Sequence, residues 1–167
     1  GGSTGHNYFR PAEANYEAKN ITVEDCTLIG SMSPIAFVGV DGATVRYNTI
    51  YRPTRWVIRI LQESQGQEFI KCRNGIFSNN IVAFRTNEVR TIVNVGSHTE
   101  PDTFRFAQNH WYCLDNPRLS NRLNLPTEEL KGSYGESPLF RAAGKGDLSL
   151  TKQSPVNNAG VRPENSP

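Results

Sequence analysis

Val23–Glu24–Asp25–Cys26–Thr27–Leu28, Val45–Arg46–Tyr47–Asn48–Thr49–Ile50, Ile76–Phe77–Ser78–Asn79–Asn80–Ile81 and Phe106–Ala107–Gln108–Asn109–His110–Trp111 are four versions of one phrase. A short β-type run reaches an Asn (Cys26 in the first copy), and a second β-type run leaves it. Positions 26, 48, 79 and 109 stand as equivalent, with spacings of 22, 31 and 30. A repeat with a constant core and variable insertions predicts one supersecondary unit stacked on copies of itself. Asn suits a corner between two strands with almost no linker. It tolerates a left-handed backbone better than most residues, and its amide can bond the Asn of the neighbouring copy. The sequence therefore predicts a structural ladder of Asn48, Asn79 and Asn109.

Working outward, each copy reads as three strands, because the apolar runs are short, rich in Val, Ile, Phe and Thr, and broken by Gly, Asn and Pro. The first strands are expected at 21–25, 43–47, 75–78 and 103–107, and the second at 27–30, 49–52, 80–85 and 110–114. The third strands are expected at Pro34–Val40, Arg55–Leu61 and Val89–Val95. Aligning Val38–Gly39–Val40 with Ile58–Arg59–Ile60 and Val93–Asn94–Val95 sends two aliphatic columns inward: Val38, Ile58, Val93 and Val40, Ile60, Val95. Trp56 and Trp111 also fall at inward positions. Gly39, Arg59 and Asn94 point outward, with Arg55 and Arg90 one period earlier. Long loops follow at 62–74 and 96–102.

The chain has 167 residues, enough for one domain or part of a larger one. A net charge of +2 is too balanced for the basic stripe of a nucleic-acid binder, so no nucleic-acid partner is expected. No apolar run is long enough to cross a bilayer, so no membrane insertion is expected. Cys26 and Cys113 are expected to be buried, and Cys72, in a long insertion, exposed. The repeat pattern fades near residue 115. Pro126–Thr127–Glu128–Glu129–Leu130 could open one short helix, with Pro first and acids in the first turn. The expected organisation is an N-terminal arm or partial coil at 1–19, coils at 20–114, a C-terminal extension or final coil with cap at 115–160, and a tail at 161–167.

The amide ladder and the C-terminal phrase together resemble the right-handed parallel β-helix proteins of the pectate lyase-like superfamily, of the exported bacterial, polysaccharide-active type. The C-terminal phrase runs Ser137–Pro138–Leu139–Phe140, then Gly146–Asp147–Leu148–Ser149–Leu150, then Ser154–Pro155–Val156–Asn157–Asn158–Ala159–Gly160. Glu136–Ser137 replaces the usual leading acid and small residue, and Val156–Asn157–Asn158 stands for the usual Ala–Ile–Asp. The resemblance covers 20–113 and 137–160. It implies an all-β solenoid, a right-handed parallel β-helix of about four coils with an irregular C-terminal segment. It also implies an extracellular or periplasmic location and a long polysaccharide lying across one sheet. Members of the superfamily usually have more coils and a capped N-terminal end. The exposed edge of the first coil is therefore expected to meet further coils of the same parent protein, a stacked partner chain, or residues 1–18. The resemblance transfers no catalytic residue by position.

The residues point to an acidic ligand. Arg55, Arg59, Arg90 and Asn94 would line one outward face, with Tyr51 and Arg52 at one margin and Glu63, His98, Glu100 and Asp102 at the other. Guanidinium groups bind carboxylates in bidentate fashion. In a uronide lyase a cation neutralises the sugar carboxylate, a base removes the neighbouring proton, and β-elimination follows. Arg59 is the candidate neutraliser, and His98 or an adjacent Arg the candidate base. Arg55, Arg90, Asn94, Arg52, Tyr51 and Glu63 are the candidate substrate-binding residues. Two alternatives stay open. One is a glycoside hydrolase using Glu63, Glu100 and Asp102. The other is a non-catalytic carbohydrate-binding or structural module of the adhesin or tailspike kind. No cofactor and no metal site are expected. Ca²⁺ could meet oxygen ligands at Asp25, Asp41 or Asp115, but no dense acidic cluster supports it.

Overall fold

The computed structural model describes residues 5–157 and residue 159. The expected tail at 161–167 lies outside them. The described chain is all-β, with short 3₁₀ turns as its helical content. Thirteen strands follow one another: β1 (Ala18–Glu24), β2 (Thr27–Ile29), β3 (Ile35–Val38), β4 (Val40–Arg46), β5 (Thr49–Tyr51), β6 (Ile58–Leu61), β7 (Arg73–Ser78), β8 (Ile81–Phe84), β9 (Val93–Val95), β10 (Arg105–Ala107), β11 (His110–Cys113), β12 (Glu129–Leu130) and β13 (Ser133–Tyr134). They pair in parallel into three sheets, ordered β1-β4-β7-β10-β12, β2-β5-β8-β11-β13 and β3-β6-β9. Two more strands, β14 (Phe140–Ala142) and β15 (Asp147–Leu150), form an antiparallel pair.

Register explains the core. In the first sheet Val23, Val45, Phe77 and Phe106 lie opposite one another. In the second, Leu28, Ile50, Val82 and Trp111 do the same. In the third, Ile35, Ile58 and Val93 form one column and Phe37, Ile60 and Val95 another. Columns of like side chains meet between the sheets, with the Phe77 ring 5.8 Å from that of Trp111 and Phe37 edge-on to Phe104 at 5.2 Å. Burying each such side chain stabilises the fold by about 1.5–3 kcal/mol. Neither of the two aliphatic columns expected from the sequence forms as drawn, although Ile58 does meet Val93 and Ile60 meets Val95. Val38 lies opposite Leu61, and Val40 belongs to β4, opposite Ala18 in the first sheet. Gly39, at φ +55°, turns the chain between the two sheets, so alternation does not carry through it. Val95 is 40% exposed.

The amide ladder is present, with one member corrected. The Asn48 side-chain oxygen accepts from the Cys26 amide at 3.0 Å, and that of Asn80 accepts from the Asn48 amide and Nδ2 at 3.0 Å each. The Asn109 oxygen accepts from the Asn80 amide and Nδ2, again at 3.0 Å. Each Nδ2 also donates to a carbonyl of the neighbouring strand in the first sheet, at Val23 in β1, Val45 in β4 and Phe77 in β7. The member is therefore Asn80, not Asn79. The left-handed residue is the one before each ladder position: Asp25, Tyr47, Asn79 and Gln108 have φ of 54–57°. Asn79 makes the turn and Asn80 makes the bonds.

Glu129 closes the ladder. Its carboxylate accepts from the Asn109 amide and Nδ2 and from Trp111 Nε1, at 3.0–3.2 Å. Burial pushes this carboxyl up from its ordinary value, while those donors pull it down. The short helix expected at 126–130 is absent. Glu129 instead lies opposite Phe106 as a strand residue, and a five-residue helix has too few internal bonds to compete. Strands β12 and β13 extend two of the sheets beyond residue 114.

Three other expectations change. Cys72 is fully buried and Cys26 exposed, the reverse of the sequence reading, while Cys113 is buried as expected. Residues 5–17 leave most of β1 exposed. Phe9 is buried beside His6 and Phe69, at 5.1 and 6.1 Å, and Asn15 accepts from the Ile70 amide. Trp111 is in the core, but Trp56 is only half-buried.

Candidate functional site

The outer face of the third sheet and the segments leading into it carry the arginines. Arg59 in β6 lies directly opposite Asn94 in β9, and its Nε donates to Asn94 Oδ1 at 3.2 Å. Ile58 and Ile60 on either side are fully buried, so strand alternation fixes the outward direction of Arg59. The Trp56 ring holds two guanidiniums: Arg59 lies over it at 4.5 Å from the centroid and Arg55 at 4.2 Å. Cation–π contacts of this kind order long side chains that would otherwise sample many rotamers.

Beside this cluster is a cleft of about 370 Å³ lined by Arg55, Trp56, Glu88, Arg90 and Thr91. Arg52 stands next to it. Its Nε is 3.1 and 3.2 Å from the two Glu88 oxygens, and its Nη2 also contacts Glu88. The hydrogen bonds from Arg52 hold the Glu88 carboxyl below its ordinary value against the opposing effect of burial. Among the sequence candidates, Arg55, Arg59, Arg90, Asn94 and Arg52 therefore come together around one cleft and its margin.

Others do not join them. The Tyr51 ring meets Phe140 edge-on at 5.9 Å, under the β14–β15 pair. His98 lines a different cleft of about 530 Å³, with Gln62, Gln65, Gln67, Phe69 and Lys71. Glu63 is exposed in the loop that forms that second cleft. Asp102 is exposed, and Glu100 stands 4.0 Å from Arg73. Asp41 is bound by Arg73 and Asn74 at 2.9 Å each, and Asp115 by the Thr86 amide at 2.9 Å. Among the described residues no three His, Cys, Asp or Glu side chains gather as a metal site requires.

No family model, curated protein or solved structure matches this chain.

Sequence reasoning missed two residues here. Strand alternation run back from Ile58 sends Trp56 inward, but β6 begins only at Ile58 and Trp56 lies before it. Glu88 carries no motif. Its one signal is its place between Arg85 and Arg90 in a segment otherwise rich in cations and threonine.

Proposed function

We propose that the chain is a right-handed parallel β-helix of the pectate lyase-like kind that binds an acidic polysaccharide across the outer face of its third sheet. Three parallel sheets visited in constant order, with an amide ladder at one corner, support the solenoid. Parallel crossovers are right-handed in about 98% of cases, which supports the hand. The observation that carries the function is Arg55 and Arg59 held over Trp56, with Arg90 beside them. Pre-ordered guanidiniums bind carboxylates with less loss of side-chain entropy than free ones. The same reading has the protein act outside the cell or in the periplasm. The sheets end on β1, β2 and β3, beside an apolar hollow lined by Ile21, Val23, Leu28, Phe37 and Val45. That end fits further coils of the same parent protein or a stacked chain.

Binding takes precedence over cleavage in this reading, because His98 lines a different cleft from Arg55 and Arg90. A lyase built on Arg59 would have to take an adjacent arginine, Arg55 or Arg90, as its base instead. The test is equilibrium binding of polygalacturonate to wild type and to Arg59→Ala, with the same mixtures followed for the ultraviolet absorbance of an unsaturated product. The expected result is binding weakened about tenfold by the substitution, with no product formed. Equal affinity in both proteins, or no binding by either, overturns the reading. Product formation that Arg59→Ala abolishes would restore the lyase.

A further inference from the structure

Glu88 is the side chain that a purely anion-binding face does not explain. It lines the same cleft as Arg55 and Arg90, where a carboxylate repels a polyanion. Its side chain is 18% exposed, enough to reach a ligand while shielded from bulk water. Arg52 grips both oxygens through Nε and Oε1 again through Nη2. That grip fixes the carboxylate in place and keeps it ionised, so it can only accept hydrogen bonds. A carboxylate has about four lone-pair sites, and Arg52 does not use all of them. Thr91 adds a hydroxyl to the same wall. A ligand that matches these groups must bring donors to Glu88 and an anion to the arginines.

We propose that the cleft selects a polyhydroxylated anion: a uronic-acid unit whose ring hydroxyls donate to Glu88 while its carboxylate meets Arg55 and Arg90. The inference rests on the acidic-polysaccharide reading above and adds a selectivity to it. Arg52 is then a positioning residue, because it acts through Glu88. A merely structural Arg52–Glu88 ion pair makes the opposite prediction. Removing Glu88 would then raise the affinity for every polyanion, or leave it unchanged.

The experiment compares polygalacturonate with poly-glutamate of similar length at one ionic strength, since salt screens both. Both polymers carry carboxylates, but poly-glutamate has no hydroxyls. Wild type is expected to prefer polygalacturonate. Glu88→Ala is expected to lose about tenfold for polygalacturonate, the scale of one charge-assisted hydrogen bond, and to bind poly-glutamate as well as before or better. Glu88→Gln keeps an acceptor for Arg52 and should show the same selective loss in weaker form, which guards against misfolding of the alanine variant. Two results overturn the inference while leaving acidic-polymer binding intact. One is a parallel change for both polymers in both variants. The other is wild type binding the two polymers equally. Failure of wild type to bind either polymer overturns the acidic-polysaccharide reading itself, and this inference with it.

Discussion

At the scale of single residues, the neighbours Asn79 and Asn80 do opposite work. The Asn80 side chain is bonded to the Asn48 amide and Nδ2 and to the Val45 carbonyl, and the residue is 1% exposed. Asn80→Ala leaves the Asn48 amide buried without a partner. It should cost roughly 3 kcal/mol, measured as a shift in the denaturant midpoint. Asn79 has φ 55°, which Gly adopts freely, so Asn79→Gly should change stability by less than about 1 kcal/mol. Reversal of the two effects would return the ladder to position 79. Asp115 gives a pH signature. The Thr86 hydroxyl and amide hold its carboxyl down to about 2. The folded-state value lies below the unfolded one, so the contact stabilises above the usual carboxylate range and is lost as pH falls. The difference in melting temperature between wild type and Thr86→Ala should therefore be open at neutral pH and close as pH approaches about 2. Asp115 is exposed, so the difference should be small.

At the scale of elements, most strand positions were legible, because a period-2 pattern broken by Gly, Asn and Pro has few other solutions. The left-handed corners were also legible in kind. What could not be read was the one-residue register inside the Asn79–Asn80 doublet, where both residues suit a corner. The Val38–Gly39–Val40 run also misled, because the glycine turns a corner inside what looks like one strand. Trp56 failed for a related reason: alternation holds only within a strand, and Trp56 precedes β6. The arginines of the site were legible as an outward row, while Glu88 was not, since its role depends on Arg52, 36 residues away. Gly75 tests the packing of β7. A Cβ there would lie 2.1 Å from the Phe104 ring, which is already edge-on to Phe37. Gly75→Ala should destabilise by about 1–3 kcal/mol through overpacking, read by thermal unfolding. A neutral result would mean that Phe104 has room to move.

At the scale of the whole molecule, the site exists because Arg59 and Asn94 are brought opposite each other by sheet register, 35 residues apart in sequence. Trp56 links that sheet face to Arg55, so Trp56→Ala should weaken polygalacturonate binding several-fold without unfolding the protein, because Trp56 is only half-buried. Its melting temperature and its affinity should therefore separate. Everything at the site depends on the stacking of strands in register. Thr22, Thr44, Ile76 and Arg105 form one such row on the first sheet. Neighbouring parallel strands lie about 4.8 Å apart, within the Cα separation that a disulfide spans. In a Cys26→Ser background, the double variant Thr44→Cys/Ile76→Cys should oxidise readily to an intramolecular disulfide. Thr44→Cys/Arg105→Cys, two strands apart, should not. Equal or reversed yields for the two pairs would contradict the stacking from which the site is built.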